Sequence, residues 1–138
     1  MKRRVLFLCT SNSSRSQMAE AIVNARLGQT WEAFSAGTKP AGYVHPKALA
    51  ALSEISIQHE GRSKPVEEFH GLDFDLVVTL CDPVAEECPV WLAKEKRIQH
   101  SFPDPAKAEG TDEQVLQAFR TVRDDIDREI IKLLVQYD

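Results

Sequence analysis

The amino-acid sequence predicts an α/β fold: a single-domain, three-layer sandwich over residues 1–138, with a four-stranded, mostly parallel sheet and helices on both faces. Strand-like and helix-like patterns alternate along the chain, which is typical of parallel strands joined by crossover helices. The runs 4–9 and 75–81 are nearly continuous in apolar residues, as expected for strands buried on both sides. A chain of 138 residues is long enough for one hydrophobic core but not for two.

The first half of the chain predicts two strands and two helices. Residues 4–9 form the first strand, and apolar residues at helical spacing predict a helix from 13 to about 27, with Gly28 as its stop. Residues 31–36 indicate the second strand. The second helix begins near 45–46, where a proline is tolerated in the first turn.

The second half predicts two further strands and one long helix. Residues 57–71 are polar and irregular, with room for one short helix. The run 75–81 is the third strand, and a shorter strand follows at 97–102. A capping box at Thr111 and Gln114 then starts a long amphipathic helix.

Small polar residues and an arginine follow the first strand, and they predict an anion-binding loop. Small side chains let the backbone N–H groups of such a loop point inward, and the next helix adds the positive end of its dipole. The planar guanidinium of the arginine matches two oxygens of a tetrahedral oxyanion. The predicted oxyanion-binding residues are Thr10, Ser11, Asn12, Ser13, Ser14 and Arg15.

Four residues around this loop have predicted roles, each with a structural alternative. Cys9 is the nucleophile, since positive surroundings favour the thiolate; the alternative is a small buried residue. Ser16 donates its hydroxyl to that thiolate, or it caps a helix. Asn12 holds the loop through its side chain or by tolerating a positive φ. Asp104 follows a strand end and is predicted to be a general acid rather than an ordinary turn residue.

Composition and charge exclude several classes of protein. The 21 acidic and 17 basic residues give a net charge of −4, which argues against nonspecific binding to nucleic acid or anionic membranes. No apolar run is long enough to span a membrane, and the one near the start is too short for a signal peptide. We expect a cytoplasmic protein that acts as a monomer and needs no metal or organic cofactor. The histidines are expected at the surface or at helix ends, without a ligand or base role: His45, His59, His70 and His100.

The cysteines at positions 81 and 88 suggest redox chemistry. Three cysteines do not suit a disulfide scaffold, and no histidine lies at zinc-ligand spacing from this pair. Residues seven positions apart share one face if the segment is helical. Either Cys81 is a core thiol and Cys88 an incidental surface residue, or the two form a redox pair.

Several of these motifs resemble one known family. Residues 9–16, with Gln-Met-Ala-Glu at 17–20, resemble the signature of the low-molecular-weight protein tyrosine phosphatases and their arsenate reductase relatives. Ser-Ala-Gly-Thr at 35–38 and Asp-Pro at 104–105 fit the same pattern, so the resemblance covers most of the chain and implies a phosphatase-type anion loop. The segment 81–88 resembles the redox segment of thioredoxin-coupled arsenate reductases, which favours a reductase.

The resemblance implies a three-cysteine relay that reduces arsenate. Cys9 attacks arsenate, Cys81 then attacks Cys9 and releases arsenite, and Cys88 finally forms a disulfide with Cys81. An external thiol reductant reopens that disulfide; thioredoxin is favoured, with glutaredoxin or mycothiol systems as alternatives. The main alternative function is a phosphotyrosine or small-phosphomonoester phosphatase that uses Cys9, Arg15 and Asp104. A non-catalytic oxyanion-binding or redox-sensing protein is the third.

The sequence departs from the family pattern at three places. Ser14 stands where some of the arsenate reductases have another cysteine, which the three-cysteine route does not require. Some relatives bind potassium beside the loop, and Asn12, Glu20 and Ser35 match their ligands, but Lys64 replaces an aspartate. The ammonium group of Lys64 supplies the positive charge that the potassium ion supplies in those relatives, so we expect no potassium requirement. Residues 106–107 are Ala-Lys where the phosphatases have tyrosines, which favours a small inorganic oxyanion over phosphotyrosine.

Overall fold

The sheet of the protein is parallel throughout the part of the chain that the structure describes. The computed structural model describes residues 2–80 and 96–137. The strands are β1 (Arg3–Cys9), β2 (Trp31–Gly37), β3 (Leu76–Thr79) and β4 (Arg97–Gln99). They lie in the order β2-β1-β3-β4, and each neighbouring pair is parallel, so the predicted α/β fold class is confirmed.

Three α-helices are present in the described residues, together with short 3-10 helices at Val66–Phe69 and Pro105–Lys107. The α-helices are α1 (Arg15–Leu27), α2 (Pro46–Glu54) and α3 (Asp112–Val135). Helix α1 packs on β1 and β2 and also contacts α2 and α3. None of the helices in the described part of the chain is long and apolar enough to cross a membrane.

The helix ends follow the polar residues that the sequence placed there. Thr111 and Gln114 form the predicted capping box: the Thr111 hydroxyl accepts a hydrogen bond from the Gln114 N–H, and the Gln114 side chain accepts one from the Thr111 N–H. His45 caps α2, because its Nδ1 accepts the Lys47 N–H at 3.1 Å. The helix-end position that we expected for His45 is therefore confirmed.

The fourth strand is shorter than the prediction of 97–102. Its regular ladder ends at Gln99, but the chain continues beside β3. The N–H groups of His100 and Phe102 donate to the carbonyls of Thr79 and Leu80 at 2.9 and 3.0 Å. This pairing carries the chain to the carboxyl edge of the sheet, immediately before Asp104.

The core lies on both faces of the central strand. Val5, Leu6, Phe7 and Leu8 are all 0% exposed, and successive side chains of a strand point to opposite faces, so both faces are covered. The carboxyl ends of parallel strands meet at one edge, where ligands of such sheets bind. Cys9, at the end of β1, lies at this edge.

Candidate active site

The loop between β1 and α1 is held open by hydrogen bonds to its carbonyl groups. The carbonyls of Thr10, Ser11 and Ser13 each accept a backbone N–H from the segment 39–45 at 2.9 Å. In a trans peptide the N–H that follows a carbonyl points the opposite way. The following N–H groups therefore point away from that segment and are available to an anion, the arrangement of an anion-binding nest.

Asn12 is the residue that gives the loop its sharp bend. Its φ is +50°, in the left-handed region that asparagine tolerates better than most residues. Its side-chain Oδ1 accepts the backbone N–H of Lys64 at 3.0 Å, and its Nδ2 donates to Ser16 Oγ at 2.7 Å. Both structural roles that the sequence suggested for Asn12, the positive φ and the side-chain hydrogen bonds, thus occur together.

A directed hydrogen bond reaches the sulfur of Cys9. Ser16 Oγ lies 2.9 Å from Cys9 Sγ, and both atoms are buried. Because Ser16 Oγ already accepts a hydrogen from Asn12 Nδ2, its single proton is free to be donated to the sulfur. The sulfur is therefore held in one position at the end of β1 by a hydrogen bond to the first turn of α1.

Arg15 lies beside the loop, where its guanidinium is almost completely buried. Its Nη1 donates to the carbonyl of Phe102 at 3.1 Å, and its Nη2 lies 3.6 Å from Asp104 Oδ2. Its Nε is buried and has no hydrogen-bond partner among the described residues, and the same is true of Ser13 Oγ. Unpaired buried polar atoms are rare and costly, so these two groups point to a ligand that completes them.

Asp104 is placed at the mouth of the loop by the end of the β4 segment. Its Oδ1 accepts the Ala106 N–H at 3.0 Å and so caps the 3-10 helix Pro105–Lys107. Its Oδ2 faces Arg15. The turn role that the sequence offered as the alternative is therefore present, and it leaves the second carboxylate oxygen beside Arg15.

The end of β2 approaches the loop so closely that only glycine fits. A Cβ on Gly37 would lie 2.6 Å from the Thr10 carbonyl oxygen and 3.0 Å from the Cβ of Asn12. Gly37 also donates its N–H to the carbonyl of Lys64 at 2.9 Å. Backbone from two distant segments therefore meets behind the anion loop.

A buried charged cluster lies beside the loop. Lys64 Nζ lies 3.2 Å from Ser35 Oγ and 3.6 Å from Glu20 Oε1, and Ser35 Oγ donates to Glu20 at 2.8 Å. Burial lowers the pKa of Lys64, and the Glu20 carboxylate opposes that change. The ammonium group thus occupies the position between Ser35 and Glu20 that the sequence assigned to it.

One sequence expectation at this cluster is wrong. His59 is not a surface residue: its side chain is only 8% exposed, and its Nε2 lies 2.7 Å from Gln17 Oε1. Sequence reasoning also gave no role to Gln17, which is fully buried beneath the loop. The only sequence signal was their position, Gln17 directly after the anion motif and His59 in the irregular segment before Lys64.

The structure brings part of the predicted site together. Cys9, Arg15, Ser16 and the loop residues form one cluster, with Asp104 at its edge. The predicted redox cysteines, Cys81 and Cys88, lie outside the described residues. Their participation in the site is therefore a matter for the proposed function below.

The fold and the loop define a class of protein: a parallel α/β domain whose first strand delivers a cysteine to an anion-binding loop with a following arginine. The sequence profile of the low molecular weight phosphotyrosine protein phosphatases matches residues 4–138. The chain belongs to this family.

Relatives within the family carry the name of one activity. A curated relative from Halalkalibacterium halodurans, named arsenate reductase, is 45% identical over 130 residues, which cover 94% of this chain and 93% of the relative. A solved structure described as an arsenate reductase in the phosphate binding state superposes with a TM-score of 0.77 at 31% identity, covering 99% of each chain. One described as an arsenate reductase in oxidized state gives 0.80 at 31% identity, covering 97% of this chain and 98% of the other.

Substitution of Gly37 by alanine is expected to weaken anion binding. The new methyl group would push on the Thr10 carbonyl, an overpacking that costs about 1–3 kcal/mol; the part of this cost that falls on the anion loop lowers phosphate affinity, by about tenfold for each 1.4 kcal/mol. Isothermal titration with phosphate and thermal unfolding measure the two effects. Gly71→Ala is the control: its φ of +95° makes alanine strained there, but the site is untouched, so stability falls while phosphate affinity holds. Equal phosphate affinity in Gly37→Ala and the native protein would contradict the close-approach interpretation.

Exchange of potassium for sodium is expected to leave arsenate turnover and thermal stability unchanged, because Lys64 already supplies the positive charge beside Glu20. Lys64→Met, which keeps the length of the side chain, leaves the Glu20 carboxylate without the ammonium group beside it and is expected to lose about 3 kcal/mol of unfolding free energy. Turnover and melting curves at constant ionic strength test both points. A specific rise with potassium in the native protein would show that the ammonium group does not replace the cation.

Proposed function

We propose that this protein reduces arsenate to arsenite with Cys9 as the nucleophile. The observation that carries the proposal is the pairing of a donor-stabilised sulfur with unsatisfied buried donors, Arg15 Nε and Ser13 Oγ, in one anion loop. A tetrahedral oxyanion provides acceptors for such donors and an electrophilic centre for the sulfur. The names of the relatives support arsenate as that oxyanion.

In the first step Cys9 acts on arsenate bound in the loop. The thiolate attacks arsenic, forms an S–As bond and expels one arsenate oxygen, which leaves as water after protonation. Asp104 is the proposed acid for that proton, since its carboxyl group lies at the mouth of the loop next to Arg15. Arg15 and the loop N–H groups bind the remaining oxygens.

In the second step Cys81 attacks the sulfur of Cys9. A disulfide forms between the two cysteines, the S–As bond breaks, and its electron pair stays on arsenic, which leaves as arsenite. Cys88 then attacks Cys81 and frees Cys9 as a thiolate. The two electrons that reduce arsenic thus come from one dithiol-to-disulfide conversion, and Cys81–Cys88 is the disulfide that remains.

An external thiol reductant closes the cycle, and thioredoxin is our first choice because a dithiol resolves an intramolecular disulfide without leaving a mixed product. This chemistry requires a reducing compartment, so we place the protein in the cytoplasm. We propose that it acts as a monomer, with residues 1–138 forming a single domain.

Phosphate-ester hydrolysis is the second candidate function. The Asp104 carboxylate, 3.6 Å from Arg15, is the observation that favours it, because an acid at this place can protonate the leaving oxygen of an ester. Such a reaction needs Cys9, Arg15 and Asp104 but neither of the later cysteines. We expect it as a slow side activity on small phosphomonoesters.

Cys81→Ser separates the two functions. Arsenate reduction is expected to fall to background because no thiol attacks Cys9, whereas hydrolysis of p-nitrophenyl phosphate, which needs no cysteine other than Cys9, is retained. Arsenite release and p-nitrophenol formation are measured on the same preparations, with Cys9→Ser as the control that loses both. Full arsenate reduction by Cys81→Ser would rule out the relay.

The identity of the reductant is tested by coupled turnover. Arsenite release is followed with thioredoxin and its reductase, and in parallel with glutaredoxin and glutathione and with a mycothiol system. Sustained multiple turnover is expected with thioredoxin. Oxyanion binding without arsenite release in all three assays would instead support a non-catalytic binding or sensing protein.

A further inference from the structure

The hydrogen bonds that orient Cys9 continue beyond Asn12 into the protein. The two hydrogens of Gln17 Nε2 are shared among three acceptors, which are Asn12 Oδ1 at 3.0 Å, the Asn12 carbonyl at 3.2 Å and the Arg62 carbonyl at 2.8 Å. Gln17 is fully buried. Its amide therefore holds both the side chain and the left-handed backbone of Asn12.

His59 lies at the far end of this chain. Gln17 Oε1 can only accept a hydrogen bond, and His59 Nε2 lies 2.7 Å from it, so Nε2 carries the proton. If the Gln17 amide turned over, its oxygen would face three acceptors and its NH₂ group would face an N–H donor. The backbone carbonyls of Asn12 and Arg62 can only accept, so they fix the direction of the Gln17 amide, and the imidazole N–H holds the oxygen that this direction turns towards it.

The charged groups around His59 preserve this arrangement. Glu20 Oε2 lies 3.9 Å from His59 Nε2, and Lys64 belongs to the same cluster. Burial lowers the pKa of His59, with Lys64 acting in the same direction and Glu20 opposing it. The neutral ring with its proton on Nε2 is therefore the form that contacts Gln17.

The glycine at position 61 leaves room for the contact. A Cβ on Gly61 would collide with His59 Nε2 and Gln17 Oε1, the two atoms of the hydrogen bond. Both atoms are ends of side chains, so a methyl group at this place would separate them without moving the backbone. Any residue larger than glycine is incompatible with the contact as it stands.

We propose that His59 and Gln17 are positioning residues for the Cys9 nucleophile. His59 holds the Gln17 amide through its oxygen, Gln17 holds Asn12, Asn12 donates to Ser16, and Ser16 donates to the sulfur. Loss of His59 loosens the last donor in this series and makes the thiolate less favourable. The inference rests on the nucleophilic role of Cys9 in the proposed function, and it adds two residues that act without touching the oxyanion.

The test measures the reactivity of Cys9 directly. In a Cys81→Ser/Cys88→Ser background Cys9 is the only thiol, and the rate of its alkylation by iodoacetamide is recorded against pH. His59→Leu is expected to raise the midpoint of that profile by about half to one pH unit, the equivalent of one weakened hydrogen bond. His59→Gln, which restores an N–H donor, returns the midpoint towards that of the parent.

Two further variants distinguish a change in Cys9 reactivity from a general loss of folding. Gly61→Ala is expected to shift the midpoint in the same direction as His59→Leu, because it separates the same two atoms. His70→Leu removes an exposed histidine from the same part of the chain and leaves the midpoint unchanged. Circular dichroism checks that each variant is folded, and if His59→Leu is not, Gly61→Ala carries the test.

The outcomes distinguish this inference from the proposed function. An unchanged midpoint in folded His59→Leu and Gly61→Ala, whatever their stability, would overturn the positioning role. A shifted midpoint in a protein whose native form releases no arsenite would uphold the positioning role and reject arsenate reduction.

Discussion

The hydrogen bond from the backbone N–H of Lys64 to Asn12 Oδ1 determines the orientation of the groups around the nucleophile. A backbone N–H can only donate, so the Asn12 oxygen must face it and the amide nitrogen must face Ser16. Ser16 then keeps its own proton, which can be donated to Cys9. The Asn12 amide, placed between a fixed donor and a hydroxyl, thus links the backbone at Lys64 to the hydrogen bond that reaches the Cys9 sulfur.

The shape of the loop has a cost that the surrounding backbone offsets. Asn12 adopts a left-handed conformation, and the carbonyls of Thr10, Ser11 and Ser13 are turned towards the segment 39–45. The segment 39–45 satisfies those carbonyls, and Gly37 lets β2 approach without a side chain. Because these partners come from separate parts of the chain, the anion loop is preorganised only in the folded domain, and oxyanion binding does not need to order it.

The secondary-structure elements could be predicted from the sequence, but the hydrogen bonds behind the anion loop could not. Periodicity and capping residues are local signals, so β1, α1 and the capping box at Thr111 could be predicted within a few residues. The contact of His59 with Gln17 joins residues 42 positions apart through an irregular segment, and no local pattern encodes such a meeting. Burial of a polar side chain depends on what covers it, which is why His59 was wrongly expected at the surface.

Binding by the loop does not by itself distinguish arsenate from phosphate, since both are tetrahedral and offer the same acceptors to Arg15 and the backbone N–H groups. The distinction arises after the sulfur has attacked. Arsenic(V) accepts an electron pair from an S–As bond when a second thiol attacks the sulfur, whereas phosphorus(V) is not readily reduced by thiols and leaves only by hydrolysis. Both reactions begin with the same attack by the sulfur. Selectivity for reduction therefore requires no change in the anion loop, only a second sulfur able to reach Cys9.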